Sequence, residues 1–220
     1  MSIDSLTHIK MILTVMHLAT CLSVSAQSVQ DVQQREWHKN DMVHAYVYCN
    51  GERVDALYNI FSCDQKLLGL GPYDYSATAI DTTLAGVVVV PQYVTLSDGT
   101  TFQVTHVSRH AFADCRHVTQ VVLPASITDI GDQSFMNCRS LSTIVLPASV
   151  RQIWPYAFRG CARLMRIVMR GATPPDAYND IFDDRTLRHA TLVVPAAYAE
   201  KYRNAFVWNM FRYCVADWDR

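Results

Sequence analysis

Apolar positions return at a fixed interval through the second half of the chain. "VTHVSRHAFADCRHVTQVVLPAS" (104–126), "ITDIGDQSFMNCRSLSTIVLPAS" (127–149) and "VRQIWPYAFRGCARLMRIVMRGA" (150–172) are three tandem units of 23 residues. Phe112, Phe135 and Phe158 coincide, as do Val121, Ile144 and Ile167, and Cys115, Cys138 and Cys161. Within a unit, Leu141, Ile144 and Leu146 before Pro147 read as a short strand ended by a residue that cannot donate to a ladder. Val150 and Ile153 begin a second extended piece, and Ala157-Phe158-x-x-Cys161 reads as a tight helical turn. No unit has enough apolar residues to bury a core alone, so neighbours must stack. The predicted fold is a β-rich solenoid whose coils each add a strand to a parallel sheet, about 4.8 Å apart. A looser fourth unit runs from Ile181-Phe182 to "ATLVVPAAY", and "AGVVVVPQY" (85–93) supplies a half-unit before the first.

The recurring I-x-x-x-A-F-x-x-C-x-x-L-x-x-I-x-L-P-x-S-V closely resembles the BspA-type leucine-rich repeat of bacterial surface and secreted proteins. The resemblance spans about residues 85–215 and implies a right-handed stack of 23-residue coils. "VVVVPQYVTLSDGTTFQVTHVSRHAF" is similar to the hairpin that leads into such repeats, and Asp98-Gly99 is a hairpin signal in its own right. "VVPAAYAEKYRNAFVWNMF" (193–211) resembles a closing helix, with Trp208 and Phe211 as aromatic residues over the last coil. Unit three departs by carrying Met169-Arg170 in place of Leu-Pro, and unit four lacks the cysteine.

The first 26 residues read as a leader. "MILTVMHLATCLSVSA" (11–26) follows Lys10 and ends in the small residues Val24-Ser25-Ala26, so cleavage would leave Gln27 first. The stretch is shorter than the roughly 20 residues that span a bilayer, and Thr20 disfavours lipidation of Cys21. No integral membrane span is expected after cleavage. Residues 27–84 are expected to form a small β-rich N-terminal cap over the open edge of the first coil, with a turn at Asn50-Gly51. The expected organisation is thus 1–26 signal peptide, 27–84 cap and 85–215 solenoid with a C-terminal capping helix.

Export alters the reading of the cysteines. Of seven, Cys21 falls in the leader, which leaves six in a compartment where disulfides persist. A thiol recurring once per coil forms a row, whereas zinc needs four ligands converging on a point. The row therefore reads as buried core thiols, ahead of a disulfide between adjacent coils or a metal site using His106, His110 and His117 near Cys115. A Cys49–Cys63 bridge is possible in the cap.

Charge and motifs exclude more than they assign. A net charge of −1 without basic clusters argues against a nucleic-acid partner. No nucleophile elbow, zinc-protease helix, phosphate loop or C-x-x-C occurs, so neither an enzyme nor a cofactor is expected. Asp180, Asp183 and Asp184 lack calcium-loop spacing, and His189 and Asp176 have no nucleophile beside them.

What remains is surface. Register puts Gln120 and Val122, Thr143 and Val145, and Arg166 and Val168 on an outward strand face, which is expected to be the binding surface. β-branched residues suit any sheet, yet a continuous valine stripe would also make a docking surface. Should those valines be buried, the binding face is expected on the opposite side, around Thr105, His106, Thr128, Asp129, Arg151 and Gln152. The resemblance implies binding of extracellular proteins or glycans at the cell surface or periplasm of a Gram-negative bacterium. The alternative is a structural scaffold that self-associates through its repeat face.

Overall fold

The structure is a computed structural model and describes residues 36–178 and 180–217. The expected leader, with Cys21 and Ala26, lies outside those residues. In chain order the strands begin with β1 (Met42–Cys49), β2 (Glu52–Ser62), β3 (Leu67–Leu70), β4 (Ala85–Val89), β5 (Tyr93–Thr95) and β6 (Thr101–Val107). The coils follow with β7 (His117–Val122), β8 (Asp129–Ile130), β9 (Thr143–Leu146), β10 (Gln152–Ile153), β11 (Arg166–Met169) and β12 (Asp176–Ala177). Helix α1 (Asp184–His189), β13 (Thr191–Pro195), α2 (Ala199–Asn204) and β14 (Tyr213–Asp217) complete the described chain.

Each 23-residue unit closes one coil with two strands. The L-x-x-I-x-L-P segments stack in parallel as β4–β7–β9–β11–β13–β14, and the V-x-x-I segments stack in parallel as β6–β8–β10–β12. The recurring serine of the "LPAS" corner ties coils together as well. Ser126 Oγ donates to the Val104 carbonyl (2.6 Å) and Ser149 Oγ to that of Ile127 (2.5 Å).

The A-F-x-x-C turns form a third ladder, with Phe112 N–H donating to Ser134 O (2.7 Å) and Phe135 N–H to Ala157 O (2.8 Å). Asp114, Asn137 and Gly160 turn the chain with φ of 59°, 60° and 77°. These are the residue types that visit the left-handed region at least cost. Gly160 lies where the 23-residue register lapses into α1. There its N–H finds the Asp183 carboxylate (2.7 Å) instead of a main-chain carbonyl.

Columns of identical residues fill the interior. Phe112, Phe135 and Phe158 stack nearly parallel with centroids 5.0 and 5.1 Å apart, and Phe158 continues onto Phe182 at 5.4 Å. The parallel stack ends where Phe211 meets Phe182 edge-on, at 78°. Cys115, Cys138 and Cys161 are buried in the row their spacing required. Cys138 Sγ donates to Phe112 O and Cys161 Sγ to Phe135 O, both at 3.1 Å. Burial pushes the Cys115 thiol up to about 12, and the contact with Cys161 together with burial holds Cys138 well above its ordinary value. No disulfide forms among the described residues; Cys49 Sγ approaches the Ala85 carbonyl instead (3.4 Å).

At the N-terminal end an antiparallel hairpin joins the two stacks into one sheet. β1 pairs with both β2 and β4, and β3 pairs with β2 and, in parallel, with β6. The turn residue Asn50 clamps β4: its amide donates to Ala85 O and its carbonyl accepts from Val87 N–H, both at 2.9 Å. Gly86 (φ 94°) lies between those contacts, where a Cβ would strike the Asn50 side chain. Asp98-Gly99 forms the expected hairpin turn between β5 and β6.

Candidate binding faces

Two outward faces of the coils carry side chains that the fold does not consume. On the first, register aligns Val87, Gln120, Thr143, Arg166 and Thr191 in one column. It aligns Val145, Val168 and Val193 in the next, with Val89 beside Val122. The columns are those expected, but their exposure is uneven. Val122 is 40% exposed and Val145 half-buried, whereas Val168 is only 4% exposed and does not belong to an open stripe. Val168 is flanked by valines on both neighbouring strands, and Arg170, the residue after β11, pairs with Asp217 at the end of β14 (3.0 Å).

A groove of about 550 Å³ opens at the C-terminal strand ends of this face. Gln120, Val122 and Val145 line it with Pro147, Arg170 and Asp217. Thr143, Arg166 and Val168 are not among its lining residues, although Arg166 is exposed in the adjoining column.

The second face runs along β6–β8–β10–β12. Here His106, Asp129, Gln152 and Asp176 share a column. His106 Nε2 lies 3.3 Å from the Asp129 carboxylate while its Nδ1 lies 2.7 Å from Thr105 Oγ1. A neutral ring with its proton on Nε2 serves both contacts, with the Thr105 hydroxyl donating to Nδ1. Thr128 Oγ1 also donates to Asp129 (2.6 Å). Burial lowers the His106 pKa, and the Asp129 charge only partly opposes it.

Phe61, from β2, stacks on the His106 ring at 3.8 Å. Tyr75 donates to the Asp132 carboxylate, with Arg109 over its ring at 5.1 Å, and the contact with Asp132 raises the Tyr75 pKa. Trp154 stacks on Tyr178 of the next coil at 6.1 Å. Between Trp154 and the Phe61–His106 pair lies a cavity of about 370 Å³. Of the residues expected on this side, His106 and Asp129 line it, whereas Thr105, Thr128, Arg151 and Gln152 are not among its lining residues. Tyr73, Tyr75 and Phe61 could not be placed from the sequence, because the segment carrying them has no period.

Other candidates resolve into structural roles. Asp183 holds the Gly160 N–H, and Asp176 N–H extends the ladder by donating to Arg151 O (2.9 Å). Among the described residues, no group of three or more His, Cys, Asp or Glu is placed to hold a metal ion. No described helix is long and apolar enough to cross a membrane.

The sequence model described as "BspA type Leucine rich repeat region" matches residues 94–209 in six copies. Among solved structures, a leucine-rich repeat protein from Bacteroides ovatus is similar at 22% identity and a TM-score of 0.44, over 71% of this chain and 38% of that one. The chain thus spans well under half the length of that protein. A leucine-rich repeat protein from Bacteroides capillosus matches at 24% identity and a TM-score of 0.37, over 53% of this chain and 94% of that one. A T. pallidum leucine-rich repeat protein matches at 17% identity and a TM-score of 0.32, over 70% and 90% respectively. No curated protein matches the chain.

Proposed function

The chain belongs to the BspA-type leucine-rich repeat family, and on that premise we propose that it is an exported, non-enzymatic recognition protein acting at the surface of a Gram-negative bacterium. Repeat families of this kind are suited to protein interaction, because stacked coils present extended regular surfaces. The proposal keeps the division into leader (1–26), cap (27–84) and solenoid (85–215), and takes an extracellular protein as the partner.

The observation that carries it is the groove bounded by Val122, Val145 and the Arg170–Asp217 pair. Its apolar wall accepts an aliphatic segment, and Arg166 in the adjoining column supplies a cation for a carboxylate on the partner. An array of matrix proteins probed with the purified chain tests this. Binding to at least one protein is expected, and the Val122→Thr/Val145→Thr double variant should weaken it at least about tenfold while remaining folded. Unchanged binding by that variant rejects the groove.

Self-association is a second reading with its own support. Phe206, Met210, Tyr213 and Val215 are exposed towards the C-terminal end of the stack, where β14 is the last strand of its row. A concentration-dependent dimer in size-exclusion chromatography that Val215→Lys abolishes favours this reading.

A further inference from the structure

The cavity on the second face differs from the groove in chemistry. Three of its properties narrow what it can hold. Flat rings stand at its rims: Trp154 is 43% exposed, Phe61 41% and Tyr73 47%, so large apolar planes face water where burial would favour them. Its polar groups are anchored from behind. Asp132 accepts from Tyr75, and Asp129 accepts from Thr128 and faces His106. The ionised side chains around it also balance, with Lys39 and Arg109 against Asp129 and Asp132.

Those properties exclude the simpler occupants. An anion such as a phosphate needs a surplus of cations, which the two carboxylates remove. A cationic peptide would meet Arg109 and Lys39. A purely apolar segment would strip water from both carboxylates and offer their remaining lone pairs no donor in return. A pyranose ring has an apolar face of C–H bonds and a rim of hydroxyls that both donate and accept. The C–H face matches the indole, and the hydroxyls match carboxylates and guanidinium together.

The floor leaves room for such a ring. Gly131 follows β8 in the position that Trp154 holds after β10 and Tyr178 after β12. A Cβ there would lie 2.7 Å from the backbone of Ser108 and Arg109, so the close approach of the coils forbids a side chain. The aromatic column thereby ends at Trp154, and the cavity opens beside it. Its volume of about 370 Å³ lies in the lower part of the roughly 300–1,000 Å³ range of small-ligand sites.

The geometry points to a saccharide site: a neutral hexopyranose unit of a glycan, seated on Trp154 and held by Asp129, Asp132 and Arg109. The site is independent of the protein-binding groove and stands or falls separately. The test presents the purified chain to an array of neutral, sialylated and uronate-bearing glycans. It is followed by tryptophan-fluorescence titration with cellobiose, maltose, lactose and mannobiose. At least one neutral saccharide should bind. Trp154→Ala should weaken it at least about tenfold, Trp154→Phe should restore most of the affinity, and Val122→Thr should leave it unchanged. Absence of binding to any neutral glycan, preference for acidic glycans, or wild-type affinity in Trp154→Ala would each overturn the assignment.

Discussion

On the first outward face successive coils repeat themselves, with valine at 122, 145, 168 and 193 and a polar or charged neighbour at 120, 143, 166 and 191. On the second face no such repetition holds. One column reads His106, Asp129, Gln152, Asp176, and the position after each strand reads Ser108, Gly131, Trp154, Tyr178. Both faces hang from the same interior of stacked phenylalanines and thiols. Repetition is what stacking demands, since each coil must present its neighbour with what it receives. Residues that break the repeat answer to something other than the stack, and His106, Ser108, Asp129, Gly131 and Trp154 among them line the polar cavity.

The largest expected effect lies in the interior shared by both faces. Phe135 stacks between Phe112 and Phe158 and is fully buried. Phe135→Ala should cost about 3–5 kcal/mol, read as the shift in urea midpoint. A loss under about 1 kcal/mol would mean that the ladder is not what joins the two faces.

One substitution made at two places in the valine column sharpens the contrast within the first face. Val168→Thr buries a hydroxyl among valines and should cost about 1–3 kcal/mol, whereas Val122→Thr at an exposed end should stay within about 0.5 kcal/mol. Equal costs would contradict the uneven burial of the column.

Much of the fold was legible because the repeat fixes it. The phenylalanine and cysteine rows, the proline-ended strands and the Asp98-Gly99 hairpin all follow from positions that recur or from local turn chemistry. Asp114, Asn137 and Gly160 also carry residue types that announce a left-handed turn, while His110, Gln133 and Tyr156 adopt one (φ 57°, 53° and 57°) with no such mark.

The sites were less legible. Register gave the outward columns, but not which of their members pack away from solvent: Val168 is 4% exposed and Val122 40%. The cavity draws Phe61 and Tyr73 from segments without a period onto His106 and Asp129 of the repeats, a juxtaposition created by the parallel pairing of β3 with β6.

Acid should affect stability through the second face. His106 has a folded pKa below its unfolded value near 6.5, chiefly through burial, so the unfolded chain takes up the proton more readily. Its contribution is complete above about pH 6.5 and declines as pH falls through that value. Urea unfolding at pH 5 and pH 8 should show a smaller acid loss for His106→Gln than for the wild type. An identical loss in both proteins would place the sensitivity elsewhere.

The thiol row gives a smaller and purely chemical readout. Native Cys138, buried and hydrogen-bonded to Phe112 O, should react with an alkylating reagent at pH 8 far more slowly than the half-buried Cys214. Peptide mass spectrometry after brief labelling reports this directly. Comparable labelling of the two residues would show that the row is open to solvent.

The division of labour between repeated interior and unrepeated surface is tested most directly by measuring thermal midpoint and saccharide affinity side by side in Cys138→Ala and Trp154→Ala. A crossed result is predicted. Cys138→Ala should lose about 1–2 kcal/mol of stability and keep the wild-type affinity, and Trp154→Ala should keep its midpoint and lose the saccharide. If stability and affinity instead fall together in both variants, the cavity is part of the stack, and the separation of fold from recognition is contradicted.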